Sequence, residues 1–144
     1  MSLSHLPKRT EKPRQTGLTM MMDKGLSTRQ MEDFLSTSSH FTDIIKFGFG
    51  TSLVSNNIKE KVSMITNSGI KPYFGGTMFE IFYVRNQEDE YFKIVDELGM
   101  DTIEISDGSI VLDHDEKCEL IHKHSKNYTA FSNEARKILI LRIE

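Results

Sequence analysis

Two spacings of apolar residues alternate along this chain. Short apolar runs end at turn residues, and stretches follow whose apolar positions recur every three to four residues, the spacing of one helix face. The first run, 17–22, breaks at Asp23-Lys24-Gly25. Ser27 and Gln30 then form a capping box, Leu26 and Met31 a hydrophobic staple, and Met31, Phe34 and Leu35 a helical stripe. Residues 43–47 read as the second strand and 48–52 as a loop. Asn57 and Glu60 cap a helix striped by Ile58, Val62 and Ile65, which Gly69 terminates. Residues 71–74 form the third strand, turning at Gly75-Gly76. Thr77 and Glu80 make a further capping box, and a second helix carries Tyr91, Val95 and Leu98 up to Gly99. Residues 102–105 are the fourth strand, followed by 106–109 and a helix capped by Asp113 and Glu116. Residues 128–131 are the fifth. The apolar stretch 138–141 fits helix or strand equally.

Strand, loop and capped helix, repeated about four times, predict an α/β fold with parallel strands and helical crossovers. Two architectures satisfy this: an open doubly wound sheet and a (β/α)8 barrel. No GxGxxG follows the first strand, which removes the main support for a dinucleotide fold. Both architectures place their sites after the strands.

Composition narrows the function classes. Lys and Arg total 18 and Asp and Glu 21, for a net charge of −3. This excludes a broadly basic nucleic-acid binder. No apolar run approaches the roughly 20 residues that span a bilayer. One cysteine, Cys118, excludes an intramolecular disulfide framework and fits a reducing, cytoplasmic setting. Residues 1–15, with Lys8, Arg9, Lys12 and Arg14, read as a disordered, solvated leader. His122 and His124 suit a helix C-terminus better than a metal.

The chemistry gathers at four strand ends. These are Asp23 and Lys24; Lys46 with Thr51 and Ser52; Gly75, Gly76, Thr77 and Glu80; and Glu104, Ser106, Asp107 and Ser109. In the fourth strand Ile103 and Ile105 share one face, while Thr102, Glu104 and Ser106 share the other. Lys46 sits among Ile44, Ile45 and Phe47. A Lys and a Glu projecting into one cavity make an ion pair that fills a barrel interior, or bind an anion and a metal. Free N–H groups at Gly75-Gly76-Thr77 suit a phosphate or carboxylate, or mark a turn that needs glycine.

Four ordered blocks resemble the phosphosulfolactate synthase family: Thr16-Gly17-Leu18-Thr19 with Met22-Asp23-Lys24-Gly25; Lys46 through Ser52; Tyr73-Phe74-Gly75-Gly76-Thr77 with Phe79-Glu80; and Glu104 through Ser109. The resemblance implies an eight-stranded barrel enzyme that adds sulfite to phosphoenolpyruvate with Mg²⁺ assisting. In methanogens that reaction begins coenzyme M synthesis. The chemistry requires cations and a metal near a developing enolate. Lys46, Lys24 and Glu104 are the candidate catalytic residues. Gly75, Gly76, Thr77, Thr51, Ser52, Ser106 and Ser109 are candidate substrate contacts. Asp23, Glu80 and Asp107 are candidate metal ligands.

The resemblance runs from about residue 6 to Ser132. There the family has an acidic-hydrophobic-glycine-lysine segment, where this chain has Asn133-Glu134-Ala135-Arg136-Lys137. The expectation is therefore an incomplete (β/α)8 barrel of about five parallel strands over 16–132. A divergent tail at 133–144, a truncated product and self-association through open strand edges complete it. A non-catalytic, stress-associated relative on the same scaffold is the alternative. An unrelated doubly wound domain with strand order 2-1-3-4-5 is a third reading.

Overall fold

The computed structural model describes residues 4–5, 7–134 and 137–141, with side chains through residue 130. The remaining expected leader and tail positions lie outside the described residues. Strands β1 (Met20–Asp23), β2 (Ile44–Phe47) and β3 (Lys71–Phe74) form one parallel sheet in the order β1-β2-β3. Strand β4 (Thr102–Ile105) pairs in parallel with β5 (Thr129–Glu134), and β6 (Lys137–Leu141) adds to β5 antiparallel. Strand β3 lies beside β4, and Lys71 Nζ reaches Asp101 Oδ2 at 3.1 Å and Thr129 Oγ1 at 3.3 Å. Successive parallel strands are spatial neighbours, an order compatible with a partial barrel and unlike the 2-1-3-4-5 of a doubly wound sheet.

Six α-helices connect these strands among the described residues: α1 (Thr28–Ser38), α2 (Phe49–Val54), α3 (Ile58–Asn67), α4 (Gly76–Tyr83), α5 (Glu88–Glu97) and α6 (His114–Ser125). The capping box on α1 forms: Gln30 N–H donates to Ser27 Oγ and Ser27 N–H donates to Gln30 Oε1. The core lies between sheet and helices, where Ile45, Phe47, Phe74, Ile103 and Ile105 meet Met31, Val62, Ile65, Phe79, Tyr91 and Val95.

Several expectations need correction. Residues 48–52 are not a loop. Gly48 starts helix α2, whose hydroxyls turn back on the chain: Thr51 Oγ1 donates to Gly48 O at 3.0 Å and Ser52 Oγ to Phe49 O at 2.8 Å. Asn57 does not cap α3 through its side chain; its Nδ2 donates to Thr28 Oγ1 of α1, which in turn donates to Glu60. The Thr77–Glu80 box also fails, because Gly75 is the N-cap and Glu80 is drawn elsewhere. Two of the four basic residues of 7–15 are not solvated as expected, while Lys8 and Arg9 are exposed. Arg14 is 6% exposed in an ion pair of 2.7 Å with Asp43, and Lys12 Nζ donates to Ser39 O at 2.8 Å. The undecided stretch 138–141 lies in strand β6.

Candidate active site

The C-terminal ends of β2, β3 and β4 converge on one cluster. Alternation along β4 sends Ile103 and Ile105 into the core and Glu104 to the opposite face. There Glu104 Oε2 lies 2.8 Å from Lys46 Nζ, with the side chains 6% and 20% exposed. The same oxygen accepts the Gly76 N–H at 2.9 Å. One carboxylate oxygen thus joins a cation on β2 to the positive end of α4. Lys46 Nζ also stands 5.9 Å from the Tyr73 ring centroid. Burial first, and Glu104 second, push the Tyr73 phenol above its ordinary pKa.

Glycine is required where α4 begins, because the backbone comes against side chains of two strands. A Cβ on Gly75 would lie 2.8 Å from Lys46 Cε, and one on Gly76 would lie 2.2 Å from Ser106 Cβ. The N–H groups there are already used, Gly75 by Phe47 O at 2.9 Å and Gly76 by Glu104. Both donors expected to contact substrate thus have a protein partner here. Thr77 is exposed on the first turn.

Glu80, 2% exposed, organises the loop after β4. Its Oε1 accepts from Ser106 Oγ at 2.5 Å and Gly108 N–H at 2.8 Å, and its Oε2 accepts from Ser109 Oγ. Both serine hydroxyls spend their protons on Glu80. Asp23 Oδ1 accepts from the N–H groups of Gly25 and Leu26, both at 2.7 Å, and its Oδ2 faces Lys61 Nζ at 2.7 Å. Asp107 pairs with buried Lys117 at 2.8 Å. Asp23, Glu80 and Asp107 thus have separate partners. Among the described residues no three His, Cys, Asp or Glu side chains are grouped to hold a metal ion. Lys24 is exposed beside Gly48 at the end of β1.

Sequence reasoning missed Lys61 and Lys117, which share the buried faces of their helices with Ile58, Val62 and Ile65 and with Ile121 and His124, and which meet carboxylates there; that helical spacing was the available signal. It also missed Asp43, which gathers Arg14, Arg9 and the Thr19 N–H at the opposite end of β2. An acidic residue opening a strand near a basic segment was the available signal.

Parallel strands in sequential order, with a cation–carboxylate pair at their C-terminal ends, define an α/β protein with a polar cluster at the strand ends. The chain belongs to the (2R)-phospho-3-sulfolactate synthase (ComA) family, which it matches over residues 7–139. That match begins inside the segment expected to be a leader and passes Ser132, where the resemblance was expected to stop. It is 42% identical over 117 residues to the phosphosulfolactate synthase of Methanothermobacter thermautotrophicus, covering 80% of this chain and 45% of that one. The Bacillus subtilis phosphosulfolactate synthase is 33% identical over 132 residues, covering 92% and 52%. That of Methanocaldococcus jannaschii is 39% identical over 115 residues, covering 78% and 46%. The chain spans about half the length of these curated relatives. No helix among the described residues is long and apolar enough to cross a membrane.

Proposed function

We propose that the chain carries part of the active site of an enzyme that adds sulfite to phosphoenolpyruvate, giving phosphosulfolactate, on an incomplete (β/α)8 barrel. The observation that carries this reading is the Lys46–Glu104 pair at the strand ends. One N–H of Lys46 is held by Glu104, and the partly exposed ammonium offers two more to an anion. In the reaction the sulfite sulfur forms a bond to C3. The double-bond electrons move onto the carboxylate as an enolate, and a proton then adds to C2. Lys46 would hold that carboxylate, with its charge strengthened as the enolate forms, and Glu104 would hold Lys46 in place. No step is assigned to Mg²⁺, since the carboxylates expected to hold it are otherwise engaged. The test is incubation of the purified chain with phosphoenolpyruvate and sulfite, with product followed by NMR and phosphoenolpyruvate binding by calorimetry. Product, or binding that Lys46→Ala abolishes, supports the reading; neither product nor binding overturns it.

A further inference from the structure

The outer face of the helical layer carries a groove of about 320 Å³ bounded by α2, α3 and α5, over the start of α4. Its lining mixes apolar side chains, Leu53, Met78, Ile94 and Leu98 among them, with Ser52 and Ser55. Leu53 is 50% exposed and the neighbouring Val54 79% exposed. Two charged residues also line the groove, Lys59 from α3 and Glu97 from α5. Both are exposed, and neither forms an ion pair among the described residues.

A partly apolar groove with a cation on one wall and an anion on the other is complementary to itself. Rotation by a two-fold axis through the groove exchanges the walls and sets each charge opposite its counterpart. We propose that this face is a two-fold interface with a second copy of the chain, in which Lys59 of each copy meets Glu97 of the other. Leu53 and Val54 of each copy cover the other's groove and leave water together. The apolar contact supplies the affinity, and the two charge pairs fix the orientation. The interface uses neither Lys46 nor Glu104, so it stands or falls independently of the reading of the strand ends. It also places self-association on the helical layer rather than on the strand edges. Strand β1 has only four residues, a short edge that offers little to a partner.

The experiment is sedimentation equilibrium on the full chain over a range of concentrations. The expected parent species approaches twice the 16.6 kDa chain mass. Lys59→Glu and Glu97→Lys singly should each weaken association at least tenfold, and the double variant should restore it, with circular dichroism unchanged throughout. A parent that stays monomeric overturns the proposal. So does association indifferent to Lys59→Glu, Glu97→Lys and Val54→Asp, or a double variant that restores nothing. Association lost in Met22→Lys but kept in Val54→Asp also overturns it, because the contact would then lie at the β1 edge.

Discussion

Lys61 Nζ lies 2.7 Å from Asp23 Oδ2, and both side chains are 1% exposed. The chemistry matches that of Lys46 and Glu104, whose separation is 2.8 Å, but there the lysine keeps 20% of its side-chain surface in solvent. The difference separates a structural pair from a candidate functional one. Lys61 also donates to Leu26 O at 3.0 Å, and Asp23 receives two further backbone N–H groups. The sealed pair ties the loop after β1 to α3, while the open pair has donors left for a ligand.

Removing one partner of the sealed pair should therefore be costly. In Lys61→Met the Asp23 carboxylate stays buried without its cation, a loss typically worth about 3–5 kcal/mol. Urea unfolding followed by circular dichroism measures it. A loss under about 1 kcal/mol would mean that Asp23 is hydrated or reaches another cation. Replacing both partners by apolar residues should recover much of the loss, because the desolvation cost goes with the pair.

Lys46→Ala should cost stability too, since it leaves the buried Glu104 carboxylate with the Gly76 N–H alone, but less than Lys61→Met, because Lys46 keeps 20% of its side-chain surface in solvent. Phosphoenolpyruvate binding or turnover should fall about 10²–10³-fold, the usual worth of one well-placed donor. Lys123→Ala, on the exposed side of α6, should change either by less than a factor of two. Equal effects of the two substitutions on binding would remove Lys46 from the site.

How far the sequence could be read depended on period. Strict alternation in β4 and the apolar run around Lys46 put two charged side chains at the same end of alternate strands, and the structure joins them across β3. Helical positions were harder. Lys61 shares the inward face with Ile58, Val62 and Ile65 by the i, i+3, i+4, i+7 spacing, but a lysine there does not reveal which carboxylate it meets, and only the fold supplies Asp23. Glu80 was legible as a cap by spacing, yet the loop 106–109 offers it three donors that its own helix end does not match. The segment 48–52 looked like a loop because its glycines and hydroxyl residues favour turns. In α2 those hydroxyls bond carbonyls one turn back, a local choice that composition does not reveal.

Gly76→Ala should damage both stability and the site. The added methyl would begin 2.2 Å from Ser106 Cβ and 3.1 Å from Glu104 Cδ, so β4 or α4 must move. Overpacking of this kind costs about 1–3 kcal/mol. The shift would also loosen the Gly76 N–H contact with Glu104, so ligand binding should fall alongside stability. Calorimetric melting together with phosphoenolpyruvate titration tests this. A fully stable variant with parent-like binding would show that the helix start yields without cost.

His124 gives the fold a dependence on pH of definite sign. Its ring stacks on Phe92 with centroids 3.7 Å apart, and Nε2 is buried with no hydrogen-bond partner among the described residues. Burial first, then the nearby Lys123 charge, lower its pKa to about 4 from the ordinary 6.5. The unfolded chain therefore takes up the proton before the folded one does. The stability that neutral His124 allows is complete above pH 6.5 and declines as pH falls toward 4. The slope from this one group reaches at most about 1.4 kcal/mol per pH unit. Other groups also titrate in this range, so the informative quantity is a difference. His124→Phe keeps the stacking and cannot be protonated, so its stability relative to the parent should rise steadily between pH 6.5 and 4. Urea midpoints at half-unit pH intervals supply the comparison. Parallel curves for the two proteins would show that His124 is protonated equally in the folded and unfolded states.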